Sequence, residues 1–392
     1  MWGNAKDVSP AKPPASWQFH NPVEIFFGEG VRAQLEDHIP QGVGLALVSS
    51  ERGRRRIEAD VSFAYLYDNK DVIWIDEVEE NPDVDDVQTQ VDRLRLAKVQ
   101  AIVAIGGGSV MDTAKAISVA LGLAPSLSLR DLLSDPSLMS QVKPVALFTV
   151  PTTAGTGSEV TPFATLWDRA AKKKLSIVGK NTFPKAAIVD PLLTYGLPEA
   201  VTISTGLDAI NQAAESIWNR NANPISMQIA MQAFRLGMEA LPRLLRSADD
   251  AQARSAMAEC SLLAGMAISH TRTALCHSIS YPLTSHFGVP HGLACAFTMH
   301  AVFNLNARHD DGRMLALATS MGIDDLSTLG ELVRCRMQEF GVHKRVLGLI
   351  PSFASLMDLQ GEMFTPGRAD NNLAPVDADV IRDILEMSYH AR

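Results

Sequence analysis

The chain has 392 residues, 46% of them hydrophobic and 20% charged, which is too long for one ordinary core and suits a globular protein of two domains. Its 35 basic and 44 acidic residues leave a net charge of −9, so it carries no electrostatic footprint for nucleic acid or an anionic membrane. An anionic ligand would have to be attracted by local Arg or Lys against that field.

In chain order, Met1-Trp2-Gly3-Asn4-Ala5-Lys6 leads into no apolar leader segment, and the Pro-rich stretch Pro10 to Pro14 is expected to be mobile. Gly44 to Val48, Val72 to Ile75, Val99 to Ile105 and Val145 to Val150 are short apolar runs, and Ile188-Val189 closes a fifth before Asp190-Pro191. Apolar runs interleaved with helical patterns predict parallel strands buried on both faces. After Gly196-Leu197-Pro198 the pattern turns helical. Helices are expected over Ser226 to Arg246, bent or divided at Pro242, and over Ala251 to Ser269, Leu326 to Phe340 and Asp377 to Ser388. The boundary falls near residue 197, giving an α/β domain over 1–196 and an all-helical domain over 197–392. No apolar run approaches the ~18 residues of a membrane span. The four cysteines, Cys260, Cys276, Cys295 and Cys335, show no CxxC pairing, which predicts reduced and mostly buried thiols in a cytoplasmic protein.

Two loops follow strands. Gly106-Gly107-Gly108-Ser109 opens a helix, lets the backbone approach a pyrophosphate, and offers Ser109 as a helix cap. It lacks the spacing of GxGxxG, so alone it reads equally as a phosphate cradle or a tight turn. The second loop, Pro151-Thr152-Thr153-Ala154-Gly155-Thr156-Gly157-Ser158-Glu159, is dense in hydroxyls and glycines. Two such loops at the ends of successive strands point to a nucleotide. Further on, Asp208 and Gln212 stand at helical i, i+4 spacing, and His277 and His291 add imidazoles. A carboxylate with two imidazoles suits a divalent first-row metal, although a single His is more often a satisfied core residue.

Taken together, Gly106 to Ser109 with Asp112 and Lys115, the loop from Pro151 to Glu159, Gly206-Leu207-Asp208-Ala209 and Pro290-His291-Gly292 resemble the iron-containing (group III) alcohol dehydrogenase family. The likeness runs from Phe27-Gly28-Glu29-Gly30 to Pro366-Gly367-Arg368-Ala369-Asp370-Asn371-Asn372. It implies the dehydroquinate synthase-like fold, an α/β nucleotide domain followed by a helical domain, and an NAD(P)-dependent oxidoreductase. It also implies a metal, Fe2+ or Zn2+, on Asp208, His277 and His291. The family's remaining ligand position holds Gln212, so Gln212 ligates weakly, or water replaces it, or the metal is lost; retention is favoured. Implied cofactor contacts are Ser50, Gly106, Gly107, Gly108, Ser109, Asp112, Thr152, Thr153, Thr156, Ser158 and Lys174. Ser50 stands where the family commonly has an acid, and Arg52, Arg54, Arg55 and Arg56 follow, which favours NADPH over NADH. His277, His270 and Tyr281 are the catalytic candidates, the last two as proton relays.

Ser216-Ile217-Trp218-Asn219 and His277 to Pro282 are most similar to the phosphonoacetaldehyde reductase branch. That likeness implies reduction of phosphonoacetaldehyde to 2-hydroxyethylphosphonate, with Arg272 and Arg220 as substrate contacts, although either could be a solvated arginine. Family members are often dimers, so a homodimer is expected. The rival readings are a metal-free reductase of the same fold, similar to maleylacetate reductase, and a nucleotide-binding module without chemistry. A lyase resembling dehydroquinate synthase is disfavoured by the form of the two loops.

Overall fold

The computed structural model describes residues 16–40, 42–67, 72–171 and 173–391; the Pro10 to Pro14 stretch lies outside them. Two compact units are present, one over residues 21–195 and one over residues 196–391 together with 16–20.

Among the described residues of the first unit eight strands occur in chain order: β1 (Glu24–Phe27), β2 (Leu45–Val48), β3 (Val72–Ile75), β4 (Ala101–Gly106), β5 (Ala146–Pro151), β6 (Phe163–Asp168), β7 (Lys173–Val178) and β8 (Ala186–Val189). Six form a parallel sheet in the order β1-β8-β5-β4-β2-β3. Burial on both faces explains the unbroken apolar runs. Along β4, Ile102 and Ala104 join the core beneath Val84, Val91, Val110 and Ile117, while Val103 and Ile105 pack with Leu45, Leu47, Phe63 and Phe148 on the other side. The chain runs outward from β2 to β3 and then restarts at β4 on the opposite side of β2. Such a reversal opens a crevice at the strand ends, where α/β sheets take nucleotides.

Two features were not expected from the sequence. β1 is a half-exposed edge strand of four residues, too short for a periodic signal. β6 and β7 form an antiparallel hairpin whose second strand opens on Lys173 and Lys174, which disguises it as a loop.

The second unit is helical, with long helices over Glu199–Ile217, Pro224–Arg246, Ala251–Thr271, Leu275–Phe287, His291–Ala307, Leu326–Glu339 and Ala378–Tyr389. Pro242 does not divide its helix, which runs through to Arg246. Ala240, Leu241, Pro242 and Leu244 are all buried there, and that packing offsets the hydrogen bond proline cannot donate. Trp218 and Phe303 meet edge to face at 6.1 Å in this core. Among the described residues no helix is long and apolar enough to cross a membrane. All four cysteines are free, and only Cys335 is exposed.

Candidate active site

Gly106 and Pro151 are register partners at the ends of β4 and β5, so the two loops leave the sheet side by side, and Thr152 N–H donates to Gly106 O at 3.0 Å. The glycines permit that closeness. A Cβ on Gly108 would meet the Thr156 side chain at 2.7 Å, and one on Gly107 would approach the Thr153 hydroxyl at 3.3 Å. The helix over Gly108–Leu121 starts from Gly107, which lacks a side-chain cap. Ser109 is therefore not the cap expected of it: it lies inside the first turn, because the chain enters the helix two residues earlier. The uncapped N–H groups and positive dipole end suit a phosphate. Ser49 Oγ bridges from the end of β2 to Ile105 O at 2.7 Å.

Two expected cofactor contacts, Asp112 and Ser158, belong to a hydrogen-bonded network beside the motif residue Lys115. Lys115 is fully buried and donates to Ser158 Oγ, Thr161 O, Thr161 Oγ1 and Phe163 O, all within 3.0 Å. Ser158 Oγ in turn donates to Asp112 at 2.7 Å, and Asp112 also accepts from Thr165 N. Asp112 and Ser158 thus hold the loop to the hairpin, and Lys174 acts on the Asp112 carboxylate by its charge. Burial lowers Lys115 to about 8, against the pull of Asp112 and Glu159, and raises Glu159 to about 7. Ser50 caps the helix over Glu51–Ala59 by accepting from Gly53 N. Of the arginines after it, Arg54 pairs with Glu58 and Asp76 and stacks on Trp74, and Arg55 pairs with Glu51.

In the helical unit Asp208 sits in the middle of the Glu199–Ile217 helix, with Gln212 one turn on. His277 lies in the first turn of its helix and His291 begins the next. Pro290-His291-Gly292 has a steric logic. A Cβ on Gly292 would fall 1.8 Å from Ser204 O and 3.0 Å from Asp208 N, so only glycine lets the His291 helix settle onto the Asp208 helix. As a result ligand atoms of Asp208, His277, His291 and Cys295 all lie within 4.8 Å of one another. His277 Nε2 is 3.3 Å from Asp208 Oδ1, and His291 Nε2 is 4.0 Å from it. Asp208 and His277 are buried, while the His291 side chain is 36% exposed and marks the accessible side.

Two members of this site were missed in the sequence. Glu215 is fully buried and accepts from Ala274 N at 2.7 Å, His277 N at 3.2 Å and His277 Nδ1 at 2.7 Å. It follows Asp208 by seven residues, on the same helix face as Gln212, and that spacing was the available signal. Cys295 follows His291 by four, with Sγ 3.9 Å from His291 Nε2. Burial pushes this thiol up, but the His277 and His291 imidazoles outweigh it and bring it to about 7.

The donor set fits a divalent cation. A carboxylate faces each ring nitrogen of His277; although burial pulls its basicity down, Cys295, Glu215 and Asp208 hold it well above the ordinary value. A carboxylate behind a ligating imidazole is the usual outer support of a metal centre. Burial raises the Asp208 carboxyl, yet the His277 hydrogen bond and both imidazole charges bring it below the usual range. Gln212 Oε1 is buried with no hydrogen-bond partner, one turn beyond Asp208 on the same helix.

Tyr281 stacks on His291, with ring centroids 6.1 Å apart and planes 8° from parallel. His270 is outside the donor group: it packs edge-on against Phe19, and its Nε2 is buried without a partner. Arg220 is exposed, its backbone N–H bonded to Asn371 O. Arg272 has φ 62° and ψ 179°, a conformation nearly confined to glycine. Its carbonyl accepts from Asn219 Nδ2 and Thr271 Oγ1, while Asn371 Nδ2 binds the neighbouring Thr273 O. Burial and the nearby charge of Arg368 both lower the Arg272 guanidinium. Neither arginine has a carboxylate partner among the described residues. Ser278 Oγ donates to Met363 O and accepts from Thr365 N, which ties the segment bearing Arg368 to the His277 helix.

Residues 22–191 match the model of the family described as iron-containing alcohol dehydrogenase, and residues 202–347 match that of the family's C-terminal region. Phosphonoacetaldehyde reductase of Streptomyces viridochromogenes is 39% identical over 225 residues, 57% of this chain and 57% of that protein's length. 1,3-Propanediol dehydrogenase of Klebsiella pneumoniae is 32% identical over 83% of this chain and 88% of its own. Sulfoacetaldehyde reductase from Bifidobacterium kashiwanohense, solved with NAD+, superposes with a TM-score of 0.86 at 30% identity, covering 96% of this chain and 100% of that one.

Proposed function

We propose a reaction and a substrate class on the premise that the chain belongs to the iron-containing alcohol dehydrogenase family. The reaction is NAD(P)H-dependent reduction of an anionic aldehyde, phosphonoacetaldehyde, to its alcohol; one carbonyl takes up a hydride and a proton, and the nicotinamide is oxidised. A divalent metal, Fe2+ or Zn2+, supplies Lewis acidity toward the carbonyl oxygen, and the reduced nicotinamide supplies the hydride.

The chain's own residues do the positioning. Glu215 holds the Nδ1–H of His277 and directs Nε2 toward Asp208 and His291, the atoms that would carry the metal. The turn from Gly106 to Ser109 presents the uncapped first-turn N–H groups of its helix to the pyrophosphate, and Thr152, Thr153 and Thr156 belong to the adjoining loop. Asp112, Ser158 and Lys174 keep that loop in place. Tyr281, stacked on His291, relays the proton taken up by the carbonyl oxygen, with His270 as a second candidate.

The observation that carries the substrate class is the Arg272–Arg368 pair, two guanidiniums with no carboxylate between them in a chain of net charge −9. Two cations match a phosphonate dianion better than a sulfonate monoanion. Arg272→Ala should lower kcat/KM for phosphonoacetaldehyde about ten- to a hundred-fold and leave an uncharged aldehyde nearly unchanged. An equal loss on both substrates would remove the anionic reading, and a parent enzyme faster on sulfoacetaldehyde would reassign the anion. Chelation should abolish turnover, and added Fe2+ or Zn2+ should restore it; chelator-resistant turnover would favour the metal-free reductase. A modest preference for NADPH rests on Ser50, which sets no carboxylate against a 2′-phosphate, with Arg52 and Arg56 nearby. Equal kcat/KM with NADH and NADPH would refute that preference.

A further inference from the structure

Within the metal reading just proposed, the identity of the fourth donor governs which ions the site prefers. Gln212 occupies the expected position, but its amide hydrogen-bonds to the Asp208 carboxylate, and a carboxylate oxygen can only accept. The NH2 end of Gln212 is therefore turned to Asp208, and Oε1 is the end left buried without a partner. Cys295 stands differently. It is fully buried, and its Sγ belongs to the group of donor atoms within 4.8 Å of one another that Asp208, His277 and His291 complete. It shares a helix face with His291 at i, i+4, and the close approach at Gly292 fixes that face against Asp208.

Bond lengths of about 2.0–2.3 Å place neighbouring ligands of a tetrahedral ion roughly 3.2–3.8 Å apart. The separations here are 3.3 Å from His277 to Asp208, 3.9 Å from Cys295 to His291 and 4.0 Å from His291 to Asp208. The first already lies in that range, and contraction by a few tenths of an ångström around an ion would bring the other two into it.

We propose that Cys295 is a metal ligand, so that the centre is Asp208–His277–His291–Cys295 and Gln212 supports Asp208 from outside it. The thiol proton leaves to solvent as the metal binds. A thiolate softens the donor set and tilts it toward Zn2+ or Co2+ and away from Mg2+ or Mn2+.

The test is optical. The metal-free full-length chain is loaded with Co2+, which reports ligands by its visible d–d bands and bound sulfur by an intense near-ultraviolet charge-transfer band. Both sets of bands should appear in the parent. Cys295→Ser should lose the ultraviolet band, keep visible bands, and bind Co2+ more weakly by at least the roughly 10–100-fold that outer partners alone can carry. Gln212→Leu, Cys276→Ser and Cys335→Ser should each retain the ultraviolet band. Visible bands without a charge-transfer band in the parent would overturn the thiolate and leave the metal reading standing. A band that survives Cys295→Ser, or disappears with Cys276→Ser or Cys335→Ser, would overturn it as well. No bound Co2+ at all would remove the thiolate and the metal reading together.

Discussion

Lys115 and His277 are both buried bases set among carboxylates, yet their surroundings are completed in opposite ways. Lys115 has Asp112 and Glu159 near it and four oxygens within 3.0 Å of its ammonium, so its three hydrogens are fully used. Around His277 the excess is of acceptors: carboxylates of Asp208 and Glu215 meet its two ring nitrogens, and the Cys295 sulfur and His291 stand in the same small group. A buried polar cluster that satisfies itself is scaffold, and one whose lone pairs converge unpaired is a place for a cation. That difference separates Asp112 and Ser158, which look like cofactor contacts in the sequence, from Asp208 and His291.

The contrast can be broken most directly at its two centres. His277→Ala should strip the metal and lower kcat/KM at least about 10²–10³-fold, read by metal analysis and steady-state kinetics. A variant that keeps its metal and its turnover would erase the contrast. Lys115→Met should act on folding, costing about 3–5 kcal/mol in urea unfolding by leaving Asp112, Ser158 and the Thr161 and Phe163 carbonyls uncompensated. Unchanged stability would show that the network is not scaffold.

A pH series sharpens the same point. Burial raises Glu159 from 4.5 to about 7 despite its own backbone hydrogen bond and Lys115, so the folded chain holds a proton there that the unfolded chain releases. Its contribution is fully present below pH 4.5 and is lost as pH rises through 7, on the order of 3 kcal/mol in total. Glu159→Gln should flatten that part of the stability profile, and an identical slope in parent and variant would refute the assignment. The smallest effect is expected at Glu215→Gln, which keeps an acceptor for His277 and loses the charge. Metal affinity should drop roughly 10–100-fold with the fold intact, measured by competition with a chromogenic chelator.

Much of this was legible in the sequence for identifiable reasons. β2, β4, β5 and β8 announce themselves because strands buried on both faces are continuously apolar, and the edge strand β3, only partly buried, is legible because Val72-Ile73-Trp74-Ile75 is apolar throughout. β1 and the β6–β7 hairpin do not, since an edge strand and a lysine-bearing ribbon are half exposed. Asp208, His277 and His291 were legible as motif residues, although 69 and 14 residues separate them in sequence; the Gly292 contact seats His291 against Asp208, and Glu215 draws in His277. Glu215 and Cys295 were readable as helical repeats of Asp208 and His291, but that reading requires the helices first. Ser109 misled because a serine before an apolar helix is normally its cap, whereas here the helix begins at Gly108.

The backbone of Arg272 carries one more consequence. An arginine held at φ 62° costs on the order of 1–3 kcal/mol that a glycine there would not. Arg272→Gly should therefore melt at a higher temperature than the parent and, if the proposed anionic substrate is correct, turn over a charged aldehyde less selectively. Breeding this enzyme for heat tolerance alone would favour replacing Arg272 by glycine early, and comparing the sturdier catalyst with its parent on charged and uncharged aldehydes would show what that strained backbone is kept for.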